Sequence, residues 1–146
     1  MGKVAEITIS QTYKGIMESV SSIEVISGKG ILKDRHFKEN NSKIKQITLI
    51  EIENINYYNQ LTGTSIPPID FRRNIITEGI HLNKLVDKEF IIGGVKIKAH
   101  DLCRPCKYLQ ERLKQGNIIK EFLSRGGLRC EILNNGKIIV GDKIKI

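Results

Sequence analysis

The chain has 146 residues, the usual length of a single domain and long enough for a hydrophobic core without disulfides. Its 24 basic and 16 acidic residues give a formal net charge of +8, which favours an anionic ligand. The longest apolar runs fall far short of the roughly 20 residues of a membrane span, and the first residues lack a signal-peptide core. We therefore expect one cytoplasmic domain over residues 1–146, with no membrane partner.

Lysines spaced singly along the chain carry most of the positive charge. They form no continuous basic stripe and no helix-turn-helix pattern, and the aromatic residues are only four tyrosines and four phenylalanines. Proteins that bind nucleic acid combine clustered basic residues with aromatic stacking platforms. We therefore expect no nucleic-acid partner, and we interpret most lysines as solvated surface residues.

The first half of the chain alternates short strand patterns with polar loops. Alternating or β-branched residues predict strands over Val4–Ile9, Ile23–Ile26 and Ile44–Ile50, and polar residues and turn formers predict loops over 10–22 and 31–41. The second loop carries Arg35 and His36 beside Asp34. We expect these three side chains at the rim of a site, since functional residues are common on surface loops.

A helix and an extended segment follow. Apolar residues at three-residue spacing predict a helix over Glu51–Leu61, and Gly63 is a suitable residue to end it. Pro67 and Pro68 predict an extended loop that leads into a strand over 71–76. Residues 77–86 then read as a connection that contains a glycine.

Hairpin signals dominate the second half. Gly93 and Gly94 join two β-rich runs, and a Gly-Gly pair supplies the positive φ angles of a two-residue turn. The patterns predict strands over 89–92, 95–99, 128–133, 137–140 and 143–146, and helices after Cys106 and over 117–125. Many short strands with three helices predict a mostly β fold of the α+β kind, an antiparallel β-barrel with inserted helices.

The segment DLCRPCKYL at 101–109 holds two of the three cysteines and lies between the predicted hairpin and a predicted helix. Pro105 suits the first turn of that helix, which brings Cys106 near the positive end of the helix dipole. Arg104 and Lys107 flank Cys106. Because these features lower the pKa of a thiol, we expect a Cys106 thiolate to be the working group.

Three alternatives for the cysteine pair stay open. Structural zinc needs four ligands, and Cys130 and the three histidines lack the spacing of a second half-site. A strand, Cys-Arg-Pro-Cys and a helix also form the local layout of thioredoxin-like proteins, in which Cys103 would attack and Cys106 would resolve. Both cysteines could instead be small buried hydrophobes. Cys130 alternates with Leu128 and Ile132, which predicts a core position.

Two adjacent arginines, Arg72 and Arg73, precede Asn74. If they lie in the predicted strand they point to opposite faces, so we expect only one of them to face a given cleft. A guanidinium aligns two donors and is the usual partner of a phosphate or carboxylate. Surface ion pairs with Glu78 or Glu89 are the alternative.

Six segments together resemble the MOSC domain, named for the C-terminal domain of molybdenum cofactor sulfurases. They are RRNIITEGI at 72–80, LNKLVDKEFIIGGVKIKAHDLCRPC at 82–106, FLSRGGLRCEIL at 122–133 and IIVGDKIKI at 138–146, with weaker matches at GILKDRHF (30–37) and KQITLIE (45–51). Lys33 departs from the glycine that similar sequences carry before Asp-Arg-His. The resemblance implies a barrel-like, mostly β fold.

The resemblance also implies a site. The cleft cysteine of the family matches Cys106, which would carry sulfur as a persulfide or ligate the molybdenum of a pterin cofactor. The candidates for binding the cofactor are Arg35, His36, Arg72, Arg73, Asn74, Arg104 and Arg125, with Arg125 and the Gly126-Gly127 turn expected to line the same cleft. A soft thiolate suits a soft metal centre, and arginines suit a pterin phosphate.

The resemblance implies that the protein binds molybdenum cofactor (molybdopterin) or carries sulfur for a metal centre. An enzyme version of this function, known for some relatives, reduces N-hydroxylated substrates. Such a protein would need a sulfur donor protein or an electron-transfer partner. Pyridoxal phosphate is not expected, since no aminotransferase-like segment is seen. The alternatives are a thiol–disulfide oxidoreductase that uses Cys103 and Cys106, and a non-catalytic module for an anionic partner.

Overall fold

The computed structural model describes residues 2–104, 107–116, 118–122 and 124–146. The strands are β1 (Gly2–Ile9), β2 (Glu18–Val20), β3 (Ser22–Ile26), β4 (Gly30–Ile31), β5 (Ile47–Glu51), β6 (Ile75–Glu78), β7 (Glu89–Ile92), β8 (Val95–Leu102), β9 (Leu128–Ile132), β10 (Gly136–Ile139) and β11 (Lys143–Lys145). The helices are α1 (Ile52–Thr62), α2 (Lys107–Leu113) and α3 (Ile118–Glu121), and two 3₁₀ turns cover Pro68–Phe71 and Leu82–Leu85.

Seven strands close into a barrel in the order β11, β7, β8, β9, β5, β6 and β1, because β1 also pairs with β11. Neighbouring strands are antiparallel except β5 and β6, which are parallel and are linked through α1, as parallel neighbours require a crossover. β2 extends the sheet beyond β1, and β10, β3 and β4 form a small second sheet. The predicted mostly β barrel with inserted helices is confirmed.

The barrel interior and its outer helices form two separate apolar clusters. Alternation in β9 turns Leu128, Cys130 and Ile132 inward, so all three are fully buried, as predicted for Cys130. Outside the barrel, Phe122 packs between Tyr58 and Phe71 with ring centroids 5.2 and 5.1 Å away. This outer cluster fixes α1, α2 and α3 against the barrel.

The backbone around the paired arginines differs from the prediction. The strand expected over 71–76 begins only at Ile75, and Pro68 starts a 3₁₀ turn instead of an extended loop. Proline fixes φ near the helical value, which favours the first position of such a turn. Arg72 ends the turn in the left-handed region, with φ of 61°. Arg72 and Arg73 therefore do not alternate across a sheet.

Other boundaries also differ. The predicted loop over 10–22 contains β2, an exposed edge strand whose Glu-Ser-Val sequence lacks an apolar alternation. The helix expected over 117–125 is the single turn α3, whereas β8 runs three residues further than predicted.

Within the described residues, none of the helices is long and apolar enough to cross a membrane.

We expect Gly127→Ala to destabilise the fold strongly. Gly127 has φ of +98°, and an added Cβ would lie 1.7 Å from the carbonyl oxygen of Leu49. Gly141→Ala is the matched control, since Gly141 has φ of +96° but open space at the Cβ position. Both variants incur the left-handed strain of about 1–2 kcal/mol, and only Gly127→Ala adds overpacking of about 1–3 kcal/mol. Urea unfolding measures both, and equal midpoints would contradict the contact.

Candidate functional site

A cleft with a volume of about 410 Å³ opens between the loop at 10–17, the loop at 32–37 and α2. We call it the arginine cleft, and it is lined by Tyr13, Lys14, Arg35, His36, Thr48, Arg72, Arg73 and Leu109. Four of these eight described residues are lysine or arginine, and none is aspartate or glutamate. The cleft therefore presents concentrated positive charge, which suits an anionic ligand.

Arg72 joins two loops of the cleft. Its Nη1 donates a hydrogen bond of 2.7 Å to the carbonyl oxygen of Gly15. Its own carbonyl oxygen accepts a hydrogen bond from Arg35 Nη2 at 3.4 Å. Arg35 also pairs with Asp34, with Nη1 3.1 Å from Oδ1. Arg72 thus links the loop at 10–17 to the loop at 32–37.

Arg73 lines the same cleft. Its Nε donates to the carbonyl oxygen of Gly126 at 3.0 Å, and its Nη1 donates to that of Phe71 at 3.3 Å. These acceptors are neutral, so they orient the guanidinium without cancelling its charge. The prediction that only one of Arg72 and Arg73 faces a given cleft is wrong, because neither residue lies in a strand.

Asn74 does not line the cleft but positions residues that do. Its Oδ1 accepts hydrogen bonds from the backbone N and the Oγ1 of Thr48, at 3.1 and 3.2 Å. Its Nδ2 donates to the carbonyl oxygen of Thr8 at 3.2 Å. Thr8 in turn donates through Oγ1 to the carbonyl oxygen of Arg73 at 2.5 Å. Asn74 is therefore a buried link between β1, β5 and the arginine pair.

Asp34 is buried beneath the cleft, although the sequence predicted a position at its rim. Its Oδ1 accepts from the backbone N of Ser10 at 3.1 Å, and its Oδ2 accepts from the backbone N of His36 at 3.3 Å. Burial lowers the pKa of His36, and the charge of Arg35 lowers it further, while Asp34 acts in the opposite direction. His36 is therefore neutral at neutral pH.

The described cysteines are not suited to nucleophilic work. Cys103 is 4% exposed, and burial raises the pKa of its thiol although the nearby Arg73 partly offsets this. Burial also raises the pKa of Cys130 well above its usual value. These features disfavour Cys103 as an attacking thiolate. Cys106 lies outside the described residues, so its assigned role stays a prediction.

The remaining candidates lie elsewhere. Arg104 is exposed and is absent from the lining of the arginine cleft. Arg125 lines a second cleft and stacks over Tyr57, with its guanidinium carbon 4.3 Å from the ring centroid. Arg125 was predicted to share the arginine cleft with the Gly126-Gly127 turn. Only the turn adjoins that cleft, because the Gly126 carbonyl oxygen accepts a hydrogen bond from Arg73. Sequence reasoning missed Lys14 and Thr48, whose proximity depends on long-range folding.

The sequence leaves Cys130 and the three histidines as candidate metal ligands beside the cysteine pair. Among the residues that the structure describes, no group of three or more His, Cys, Asp or Glu is arranged to hold a metal ion. Cys130 lies in the barrel core, and His100 pairs with Glu131 at 2.9 Å. These two potential ligands of the alternative zinc site are thus committed to other contacts.

Sequence comparison identifies the family. The MOSC domain model matches residues 33–145, which is most of the chain. The chain belongs to the MOSC domain family. The curated proteins yield no match to it.

Solved structures agree with the barrel topology. The YuaD protein of Bacillus subtilis is similar with a TM-score of 0.86 and 20% identity, over 99% of this chain and 94% of that one. YiiM from Geobacillus stearothermophilus has a TM-score of 0.80 and 16% identity, over 99% and 74% of the two chains. YiiM from Escherichia coli has a TM-score of 0.74 and 14% identity, over 99% and 69%. These likenesses establish the MOSC fold.

We expect iodoacetamide to leave Cys103 and Cys130 unmodified in the folded protein at neutral pH. Both thiols are buried, and burial raises the pKa of each, so little thiolate is accessible. Mass spectrometry of peptides after labelling measures this, with protein unfolded in urea as the control for full reactivity. Rapid labelling of Cys103 in the folded protein would revive the thiol–disulfide reading.

We expect sulfate to bind the arginine cleft more tightly as the pH falls through the pKa of His36. That pKa lies below the usual value of about 6.5 because of burial, so the added charge comes only in mild acid. The sign for folding is opposite: protonation of His36 lowers the stability of the unliganded protein as the pH falls. Titration of backbone amide shifts measures the affinity, and the same rise in His36→Gln would contradict the assignment.

Proposed function

We propose that this MOSC domain binds molybdenum cofactor in the arginine cleft, with Cys106 as the thiolate that ligates the metal or carries sulfur as a persulfide. The observation that carries the proposal is the convergence of Lys14, Arg35, Arg72 and Arg73 on one cleft without a carboxylate among its described lining residues. Family membership supplies the second argument, since MOSC domains are associated with this cofactor.

The described residues fit an anionic pterin. Guanidinium groups bind phosphate through paired donors, and their charge persists at any physiological pH. The exposed ring of Tyr13 and the buried Leu109 provide apolar surface beside the cations. Leu109 follows Cys106 by three residues and lines the cleft, which supports a role for Cys106 there. When bound, the molybdenum centre supplies redox or sulfur-transfer chemistry.

In this proposal the residues in and behind the arginine cleft have separate roles. Arg73 and Arg72 bind the anionic group, and carbonyl oxygens of Gly126 and Gly15 hold them in orientation. Asn74 positions Thr48 and the backbone of Arg73. Arg104 and Arg125 do not enter the proposal, because they lie outside this cleft.

The partners follow from the chemistry. A sulfur-carrying role requires a sulfur donor protein, and reduction of an N-hydroxylated substrate requires a protein that delivers electrons. We place this activity in the cytoplasm.

The alternative of a non-catalytic module predicts anion binding at the same arginines without molybdenum. The burial of Cys103 leaves the thiol–disulfide alternative without support from the geometry.

Protein produced in cells that make molybdenum cofactor is expected to contain molybdenum and a pterin. Elemental analysis and fluorescence of the oxidised pterin measure the two components separately. Cys106→Ala should lose molybdenum, because its thiolate would be gone, and Arg73→Gln should lose both components. Arg73→Lys should retain an intermediate amount, since lysine keeps the charge but loses the paired donors.

Arg112→Gln is the matched control, because Arg112 is an exposed arginine on α2 that does not line the cleft. Thermal unfolding of each variant checks that the barrel is intact. Wild-type protein with neither molybdenum nor pterin would contradict the proposal. Pterin binding without molybdenum, unchanged in Cys106→Ala, would leave the anion-binding module as the correct reading.

A further inference from the structure

A second cleft lies on the other side of the Gly126-Gly127 turn, between α1, the segment at 81–84 and residues 124–125. Its volume is about 460 Å³, and we call it the Glu51 cleft. It is lined by Glu51, Asn54, His81, Asn83, Lys84, Ser124 and Arg125. A hydrogen bond of 2.8 Å from Asn83 Nδ2 to the carbonyl oxygen of Ser124 ties two of its walls together.

Glu51 is the buried member of this group. It ends β5 directly before α1 and is 8% exposed. Its Oε2 accepts a hydrogen bond of 3.2 Å from the backbone N of Leu82, and within the described chain Oε1 has no hydrogen-bond partner. No described side-chain oxygen is both fully buried and unpaired. Oε1 must therefore be accessible, and the cleft that Glu51 lines is the opening available to it.

The other charged residues of this cleft are Lys84 and Arg125. Lys84 is exposed, and Arg125 is half-buried and stacks on Tyr57. Neither Lys84 nor Arg125 forms an ion pair with a carboxylate in the described part of the chain. The cleft thus combines the buried carboxylate of Glu51 with two cations that have no carboxylate ion-pair partner in the described part of the chain.

We propose that the Glu51 cleft is a second binding site for a small zwitterion of the amino acid class, which places its ammonium group on Glu51 and its carboxylate on Arg125 and Lys84. A buried carboxylate that keeps one oxygen accessible gains most from a charged N–H donor, because such hydrogen bonds are about twice as strong as neutral ones. The carboxylate of the same molecule then meets a guanidinium already oriented by an aromatic ring. This site does not depend on the proposed function of the arginine cleft.

Two backbone amides report on the site. Leu82 N–H donates to Glu51, and Gly79 N–H donates to the neighbouring Glu53, whose Oε2 is 2.8 Å away but which does not line the cleft. The probes are glycine, β-alanine, γ-aminobutyrate and ε-aminocaproate, which differ in the separation of their charges. Butyrate and butylamine are matched molecules that lack one charge.

At least one of the zwitterions should shift the Leu82 amide resonance in a saturable way and leave that of Gly79 in place. Its affinity should exceed that of butyrate and butylamine by about tenfold or more, and Glu51→Gln should weaken it by about tenfold, as expected for one charged hydrogen bond. Arg125→Gln should weaken it similarly. Glu53→Gln is the control and should bind as the wild type does.

Two results would overturn the proposal. One is that none of the four zwitterions binds more tightly than the singly charged molecules. The other is that Glu51→Gln, shown to be folded by an unchanged amide spectrum outside the cleft, binds as tightly as the wild type. The second result would make Glu51 a purely structural residue that holds the segment at 79–82.

Discussion

At the Gly126-Gly127 turn the backbone approaches two other strands more closely than a side chain would allow, and both clefts adjoin this turn. A Cβ on Gly126 would lie 2.5 Å from the carbonyl oxygen of Cys103, and one on Gly127 would meet that of Leu49. The backbone N of Cys103 also donates to the carbonyl oxygen of Gly127 at 2.7 Å. Only glycine permits this approach, which brings the start of β9 against both β5 and β8.

The turn also separates the two groups of cations. Arg73 reaches the Gly126 carbonyl oxygen from the arginine cleft, whereas Arg125 faces the Glu51 cleft from the residue just before. Both arginines thus lie beside one turn, Arg73 through a long-range hydrogen bond and Arg125 through the chain, yet they line different clefts. The resemblance to the family implied that Arg73 and Arg125 line one cofactor cleft, whereas in the structure they line two different clefts.

The guanidinium groups of the arginine cleft are held in more than one way. Arg72 and Arg73 each donate to a neutral carbonyl oxygen, which orients the group, whereas Arg35 pairs with the buried Asp34. Elsewhere in the same barrel, Arg129 grips Asp101 through two nitrogens. That contact lowers the pKa of Asp101, because Arg129 donates hydrogen bonds to the ionised carboxylate. Desolvation of a cation costs stability, so the concentration of four cationic residues in one cleft marks it as a candidate binding site.

Much of the barrel could be predicted from the sequence because its signals are local. Alternation located β7 and β9 well, and Gly93 takes the positive φ that a hairpin turn requires. The site was harder, since its contacts join distant parts of the chain. Arg72 reaches Gly15 across 57 positions, and nothing near Lys14 or Thr48 indicates a shared cleft. The 3₁₀ turn that begins at Pro68 sets the direction in which the chain enters the arginine pair. A proline is compatible with such a turn and with an extended loop, so the sequence did not distinguish the two.

The structure also changes the argument for a Cys106 thiolate. The sequence favoured the dipole of the following helix and the charge of Arg104, but α2 has seven residues and Arg104 is exposed. A helix end contributes about 0.3–1 kcal/mol at an exposed position, which is less than one pKa unit at about 1.36 kcal/mol per unit. Arginines within about 4–6 Å in a partly buried cleft shift a pKa by about 1–3 units. A Cys106 thiolate, as proposed above, would therefore need partly buried cations beside it, and within the described residues such cations are found in the arginine cleft.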